Sequence, residues 1–317
     1  MITFITPHQR PTSGGVYAIL QLAAHLASTM NVNLVVQNDE PMQIPGVVMY
    51  KSKSLLPDEI PDANIVILHA DSTDGENFAN LPPAKGKRFL YFQGYGTPGN
   101  GTVIENLKRT FSVIASAKWL VDEASRYGSN AAYVPYGLNY DIFSPGSPLK
   151  RKDNRITMMT HHLDWKGTSD GMEALRIVID ARPDIEVCLF GAMQPEFPGD
   201  FIPSPSRESV GSLLKESSVF VCSSWEEGFG MPGLEAMACG AALATTDTKG
   251  SRDYAFDGET ALVTPPRKPE ALAISILKLL DDNKLRKRIT DTGIDYIKNH
   301  YNPWPVAARI FEKSLSL

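Results

Sequence analysis

The sequence predicts two α/β domains, each a parallel sheet with helices on both faces. Three observations carry that expectation. The chain's 317 residues exceed what one hydrophobic core normally serves and suit two domains of roughly 150 residues each. Short β-branched runs alternate with amphipathic stretches along most of the length. The segment YDIFSPGSPLKRKDN, residues 140–154, breaks the alternation with Pro, Gly and charges, which places a boundary there and divides the chain into 1–145 and 146–301.

In the first part, strand-like runs follow one another as ITFIT, VNLVVQ, NIVILHA, RFLYFQ, FSVIAS and AAYVPYG. The stretch GGVYAILQLAAHLAS after the first has apolar residues at three- and four-residue spacing and reads as a helix. In the second part the runs are RITMMT, IEVCLFG, VFVCSS, AALATTD and TALVTPP, with helical GMEALRIVIDA and PEALAISILKLLDD among them. The last forty or so residues read as helices, and NPWP at 302–305 ends one and redirects the chain. No internal repeat or low-complexity segment stands out.

Composition narrows the function classes. Hydrophobic residues at 43% and charged residues at 21% describe an ordinary soluble globular protein. A formal charge of −5 argues against a general nucleic-acid binder. Cys188, Cys222 and Cys239 are widely spaced beside apolar runs, fitting neither a disulfide framework nor a zinc ribbon, so a reducing cytoplasm is expected. The opening MITFIT lacks a basic leader, and no apolar run reaches the roughly 18–20 residues of a membrane span.

Ligands of open parallel sheets bind at the carboxyl ends of strands. Two loops qualify. One is TPHQRPTSGGVYAIL, where Gly14 and Gly15 open a helix after the first strand; the other is SSWEEGFGMPGLEAMACG, residues 223–240. A helix N-terminus suits a phosphate, and glycine lets a ligand approach the backbone. Pro232 is well placed in a first helical turn, and Glu235 lies about one turn in. Its carboxylate can accept bonds from vicinal hydroxyls such as those of a ribose, while Glu227 on the loop faces a second polar group. Acids near helix starts and Pro-Gly turns also occur without a ligand. Their concurrence points to one.

This arrangement resembles the family 4 glycosyltransferases of the GT-B fold, whose signature is an E-x7-E pair, here Glu227 and Glu235 within EGFGMPGLEAMACG. The resemblance extends to Gly14-Gly15, to YVPYGLNYDIFSP between the domains, to Lys166-Gly167, and to DGETALVTPP at 257–266. It implies two Rossmann-like domains whose parallel sheets face a cleft, the acceptor side in 1–145, the nucleotide-sugar site in 146–301, and a tail 302–317 that returns to the first domain. It implies retaining transfer of a sugar from a nucleotide-diphosphate donor to a glycan, lipid-linked or small-molecule acceptor, without metal or separate cofactor. The expected place is the cytoplasm, with peripheral contact at the inner membrane face allowed.

By the same resemblance Glu235 holds the ribose hydroxyls, Glu227 the transferred sugar, Lys166 the diphosphate charge, and Phe229 and Gly230 offer backbone amides. Glu227 and Lys166 are the catalytic pair, and donor contacts extend to Gly14, Gly15, His162, Gly228 and Met231. His69 and Gln93 fall on the sugar or acceptor side. Closure of the domains is expected to bring Gly14 and Gly15 toward a phosphate. The sequence departs from the family at THHLDWKG, where His161 and His162 stand near the usual Arg, at Gln93 for a usual His, and at Tyr136 for a usual Asn. Two alternatives stay open: a non-catalytic nucleotide-sugar-binding relative, and a GT-B sugar-nucleotide epimerase, which needs several titratable groups around the sugar.

Other motif matches are set aside on context. GYGTPG at 94–99 fits a dinucleotide fingerprint but carries Pro98 and has no acidic residue ending the next strand. GTSDG at 167–171 is separated from its strand by HHLDW, unlike a hydrolase elbow, and Ser169 reads as a helix cap. His161, His162 and Asp164 lack further ligands at metal-binding spacing, and His8 and His69 read as histidines at strand ends on a cleft rim.

Overall fold

The structure of the protein, a computed structural model, describes residues 1–10, 13–109, 111–147 and 150–316. Pro11 and Thr12 of the first glycine loop, Pro148 and Leu149 of the boundary segment, and Leu317 of the tail lie outside the described residues. The chain forms two compact units, Met1–Gly137 joined by the chain from Asn302 onward, and Leu138–Tyr301.

The first unit runs β1 (Ile2–Thr6), α1 (Gly14–Leu26), β2 (Val32–Val36), β3 (Val47–Lys51), β4 (Ile65–His69), α2 (Gly75–Ala79), β5 (Lys87–Phe92), α3 (Gly101–Leu107), β6 (Ser112–Ala115), α4 (Lys118–Arg126) and β7 (Ala131–Tyr133). Its strands form one parallel sheet in the order β3-β2-β1-β4-β5-β6-β7. The central strands are apolar on both faces because helices cover both, and β1 and β2 are buried throughout.

The second unit runs β8 (Lys152–Thr160), α5 (Thr168–Ala181), β9 (Glu186–Gly191), β10 (Asp200–Pro203), α6 (Arg207–Glu216), β11 (Ser217–Cys222), α7 (Met231–Cys239), β12 (Ala242–Thr246), β13 (Leu262–Thr264), α8 (Pro269–Asp281) and α9 (Asn283–His300). The sheet is again parallel, in the order β10-β9-β8-β11-β12-β13. Ile156, Met158, Val219, Val221 and Ala244 of the sheet pack with Leu175 and Val178 of α5 and with Leu272, Ile276 and Leu279 of α8.

After α9 the chain leaves the second unit at Asn302, and α10 (Trp304–Ser314) packs in the first, with a proline in its first turn where the missing N–H costs little. Phe311 of α10 lies 6.0 Å from the Phe4 ring and 5.1 Å from the Tyr91 ring, and all three side chains are fully buried. Truncating such a residue to alanine typically costs about 3–5 kcal/mol, so α10 is an integral part of the unit.

The division after Gly137 corrects the expected domain end at 145. Residues beyond 137 pack into the second unit: Tyr140 Oη donates to the carbonyls of Ile297 and Tyr301, Ile142 faces Gly211, and Phe143 lies under the Arg207 guanidinium at 4.9 Å. Gly137 abuts Trp304, which holds it in the first unit. Two strands are additions to the sequence reading. Both β3 and β10 are edge strands with mostly exposed or half-buried side chains, and β10 ends on Pro203, so neither carries the apolar signature of a buried strand.

Candidate active site in the second unit

The strand order fixes where a ligand site lies. Chain progression from β8 runs outward to β9 and β10, whereas β11 restarts on the other side of β8 and runs to β12 and β13. The loops after β8 and β11 therefore diverge at a topological switch point, the place where open parallel sheets bind ligands.

Those two loops are bolted together. The Trp225 amide donates to the Trp165 carbonyl at 2.7 Å, and Trp225 Nε1 donates to Asp170 Oδ2 at 2.6 Å. Gly167 has φ 61°, and a Cβ there would sit 2.0 Å from the Ser223 carbonyl oxygen, so only glycine permits this approach. Gly167 also caps α5, which begins at Thr168. Ser169 is thus not the cap expected of it; the Thr168 hydroxyl donates to the His161 carbonyl instead.

Lys166, in a short turn of 3-10 helix at Asp164–Lys166, directs its ammonium to both oxygens of Glu227, at 2.9 and 2.8 Å. The Ser224 hydroxyl donates to Glu227 Oε1 at 2.8 Å. The Glu227 amide donates to the Thr248 carbonyl at 2.8 Å, pairing the loop with the segment after β12. There Lys249 adopts φ 65° and ψ −59°, with the Gly250 amide bonded to the Thr248 carbonyl at 2.9 Å, a strained γ-turn for a residue with a side chain. Its ammonium pairs with Glu226.

Gly228, Phe229 and Gly230 lead into α7, which opens at Met231 with Pro232 in its first turn. Gly230 caps the helix in the left-handed region at φ 89°. Tyr254, fully buried, donates to the Gly230 carbonyl at 2.6 Å, and a Cβ on Gly230 or Gly233 would fall 2.7 Å from its hydroxyl. The glycine-rich turn is held against a tyrosine that the sequence reading did not select. The helix start carries partial positive charge and faces the same end of the sheet as Lys166.

Glu235 is buried within α7, 3% exposed, and its carboxylate contacts the guanidinium of Arg207 at the start of α6. Burial pushes the carboxyl up from its ordinary range, and Arg207 only partly offsets this. Arg207 is a second residue missed from sequence. His162 is exposed and stacks on His161 with ring centroids 4.4 Å apart. His161 is lowered from its usual value by burial first, then by the charges of Lys166 and His162.

The first unit gathers other expected residues. Gly14 and Gly15 open α1, His69 ends β4, and Gln93 follows β5. A Cβ on Gly15 would lie 3.1 Å from His69 Nε2 and 3.3 Å from Gln93 Oε1. Gln93 Nε2 donates to Tyr136 Oη at 2.9 Å, so the two departures from the family pattern are bonded partners. Among the described residues no three His, Cys, Asp or Glu side chains converge to hold a metal ion, and no helix is long and apolar enough to cross a membrane.

Residues 141–295 match the family model described as Glycosyl transferases group 1. An uncharacterized glycosyltransferase of Methanocaldococcus jannaschii is 32% identical over 93 residues, 29% of this chain and 26% of that protein. The phosphatidyl-myo-inositol mannosyltransferase of Mycobacterium tuberculosis is 24% identical over 208 residues, covering 58% of this chain and 54% of that one. The chain thus spans between about a quarter and a half of these curated relatives. Among solved structures, Anabaena HepE in complex with UDP-glucose superposes with a TM-score of 0.83 at 14% identity, over 99% of both chains. That likeness shows the fold, and the expected GT-B class stands.

Proposed function

We propose that the protein is a retaining glycosyltransferase of family 4, which moves a sugar from a nucleotide-diphosphate donor to a glycan, lipid-linked or small-molecule acceptor. The observation that carries this reading is the Lys166–Glu227 pair, set between the loops of β8 and β11 beside the start of α7. Departure of a nucleoside diphosphate develops negative charge on phosphate oxygens. A lysine and a helix N-terminus, preorganised around that position, stabilise it in the transition state without reorganising at the moment of reaction.

In this reading the Lys166 ammonium serves the diphosphate and Glu227 the hydroxyls of the transferred sugar. Gly228, Phe229, Gly230 and Met231 bring backbone toward the phosphates. Glu235 accepts from the ribose hydroxyls, with Arg207 as its counter-charge, and His162 adds a titratable group at the rim. The diphosphate charge is met by Lys166 and amide dipoles, so the reaction proceeds without a metal or other cofactor. UDP leads the panel of candidate nucleotides because HepE is a structural neighbour solved with UDP-glucose. The setting is cytoplasmic, at the inner membrane face if the acceptor is lipid-linked.

The Gln93–Tyr136 bond, at positions where the family carries His and Asn, favours one further reading, a relative that binds nucleotide sugars without turning them over. Incubation with a panel of nucleotide sugars, with release of nucleoside diphosphate measured, separates the two. Release supports transfer. Tight binding without release supports the binding protein, and an epimerised sugar with the diphosphate intact supports an epimerase.

A further inference from the structure

The chain passes between the units twice, after Gly137 and after Tyr301. Within the second unit the two passages are fastened to each other. Tyr301 follows α9 in an extended conformation, at φ −119° and ψ 127°, and its amide donates to the Ile297 carbonyl at 2.9 Å. Its carbonyl accepts from Tyr140 Oη at 2.8 Å, and the same hydroxyl reaches the Ile297 carbonyl at 3.2 Å. Tyr140 stands just beyond Gly137, so one phenol ties the first passage to the second.

The Tyr301 side chain carries that tie inward. Its ring meets the Phe229 ring edge to face, with centroids 5.8 Å apart, and both side chains are buried. Phe229 also packs on Tyr254 at 5.7 Å, and the Tyr254 hydroxyl donates to the Gly230 carbonyl at 2.6 Å. The segment after β12 closes a further side, since a Cβ on Gly250 would lie 2.7 Å from Phe229 Cα. A side chain enclosed in this way passes on a displacement of its neighbours, because close-packed interiors are nearly incompressible. Phe229 and Gly230 are the residues whose backbone the proposed function turns toward the phosphates. One wall around that turn is therefore a residue of the second passage.

The ring, and not the hydroxyl, is the contact that matters. Tyr301 Oη donates to the Asp253 carbonyl at 3.2 Å, but Tyr296 Oη donates to the same carbonyl at 3.0 Å and keeps it satisfied when the Tyr301 hydroxyl is removed.

We propose that Tyr301 is a positioning residue for the turn at Phe229 and Gly230 and couples it to both passages, so that an occupied turn and ordered passages stabilise each other. Coupling of this kind is reciprocal and can be measured from either end. It rests on the proposed function only in taking the occupant of the turn to be a nucleoside diphosphate.

The test is hydrogen exchange of the full chain, read by mass spectrometry. The reporters are the turn, where the Glu227 amide donates to the Thr248 carbonyl and the Gly233 amide to the Gly230 carbonyl, and the amide of residue 301. Each is compared with α5, whose exchange follows opening of the whole unit. Tyr140→Phe removes the tie between the passages and no bond of the turn, yet it should speed exchange at the turn by about fivefold, the scale of one hydrogen bond. That effect should persist in a Tyr301→Phe background and vanish in Tyr301→Leu. Unchanged exchange at the turn, or an effect that survives Tyr301→Leu, overturns the proposal. From the other end, Phe229→Leu should speed exchange at residue 301, and no change there overturns it as well. A mere loss of core packing would speed exchange in α5 equally and leave these ratios unmoved. UDP, ADP and GDP, titrated in turn, should slow exchange at residue 301 in the parent but not in Tyr301→Leu; binding without slowing in the parent, or slowing in both, contradicts the coupling. Failure of all three to bind would defeat the donor reading and leave the coupling to be decided by the ligand-free exchange.

Discussion

Lys166→Met leaves the Glu227 carboxylate in place without its cation. The structure supplies the terms of the loss. Lys166 makes two charge-assisted hydrogen bonds, at 2.9 and 2.8 Å, and the side chains are 22% and 11% exposed. A fully buried charge that loses its partner costs about 3–5 kcal/mol, but here Ser224 still donates at 2.8 Å and water reaches the lysine side, so about 1–3 kcal/mol is expected. Glu227→Gln strands an ammonium that is better able to reach water and should cost less. The double variant removes both charges, and the cycle should give a coupling of about 1–2 kcal/mol. Urea unfolding of the four proteins measures it. A coupling below about 0.5 kcal/mol, the usual additivity error, would refute the claim that these two groups hold the loops of β8 and β11 in register.

The remaining predictions address the cap, the buried acid and the metal. Gly167→Ala combines a left-handed residue with a Cβ 2.0 Å from the Ser223 carbonyl oxygen, and should cost more than about 2 kcal/mol and lower donor turnover through displaced Lys166; melting together with the parent contradicts this. The Glu235 carboxyl is raised above 4.5 by burial, so its contribution to stability is complete below the unfolded value and is lost as pH rises through the folded one. Glu235→Gln, neutral throughout, should gain in Tm on the parent as pH rises across that window, and a flat or falling difference opposes the assignment. Free nucleoside diphosphate should bind equally well after exhaustive chelation, since the proposed reading gives the phosphates to Lys166 and the amides of α7; calorimetric titration that requires Mg²⁺ or Mn²⁺ contradicts this.

The alternation of strands and helices is legible because parallel strands buried on both faces are written as short apolar runs, as in ITFIT and VFVC. The edge strands β3 and β10 lack that pressure and leave no such mark. The loop chemistry around Glu227 is local and readable, because Gly, Pro and acid occur within a few residues of one another. Arg207 is not. It opens a polar helix 28 residues before Glu235, and only the fold makes it the counter-charge. Tyr254 is hidden for the same reason, since its hydroxyl meets Gly230 from a distant segment. The boundary at Gly137 also depends on contacts, of Tyr140 and Phe143 with the second unit, that composition does not encode.

The account rests on the second unit holding a donor nucleotide in the turn from Glu227 to Glu235, and calorimetric titration of the parent, Glu235→Ala and Glu227→Ala with free nucleoside diphosphate tests that most directly. The parent should bind. Glu235→Ala, which removes the proposed hydroxyl acceptor, should weaken binding by about 1–3 kcal/mol, whereas Glu227→Ala should leave free nucleotide affinity close to the parent's and lower turnover of the sugar donor. A parent that binds no nucleoside diphosphate, or two variants that lose affinity equally, would contradict the account.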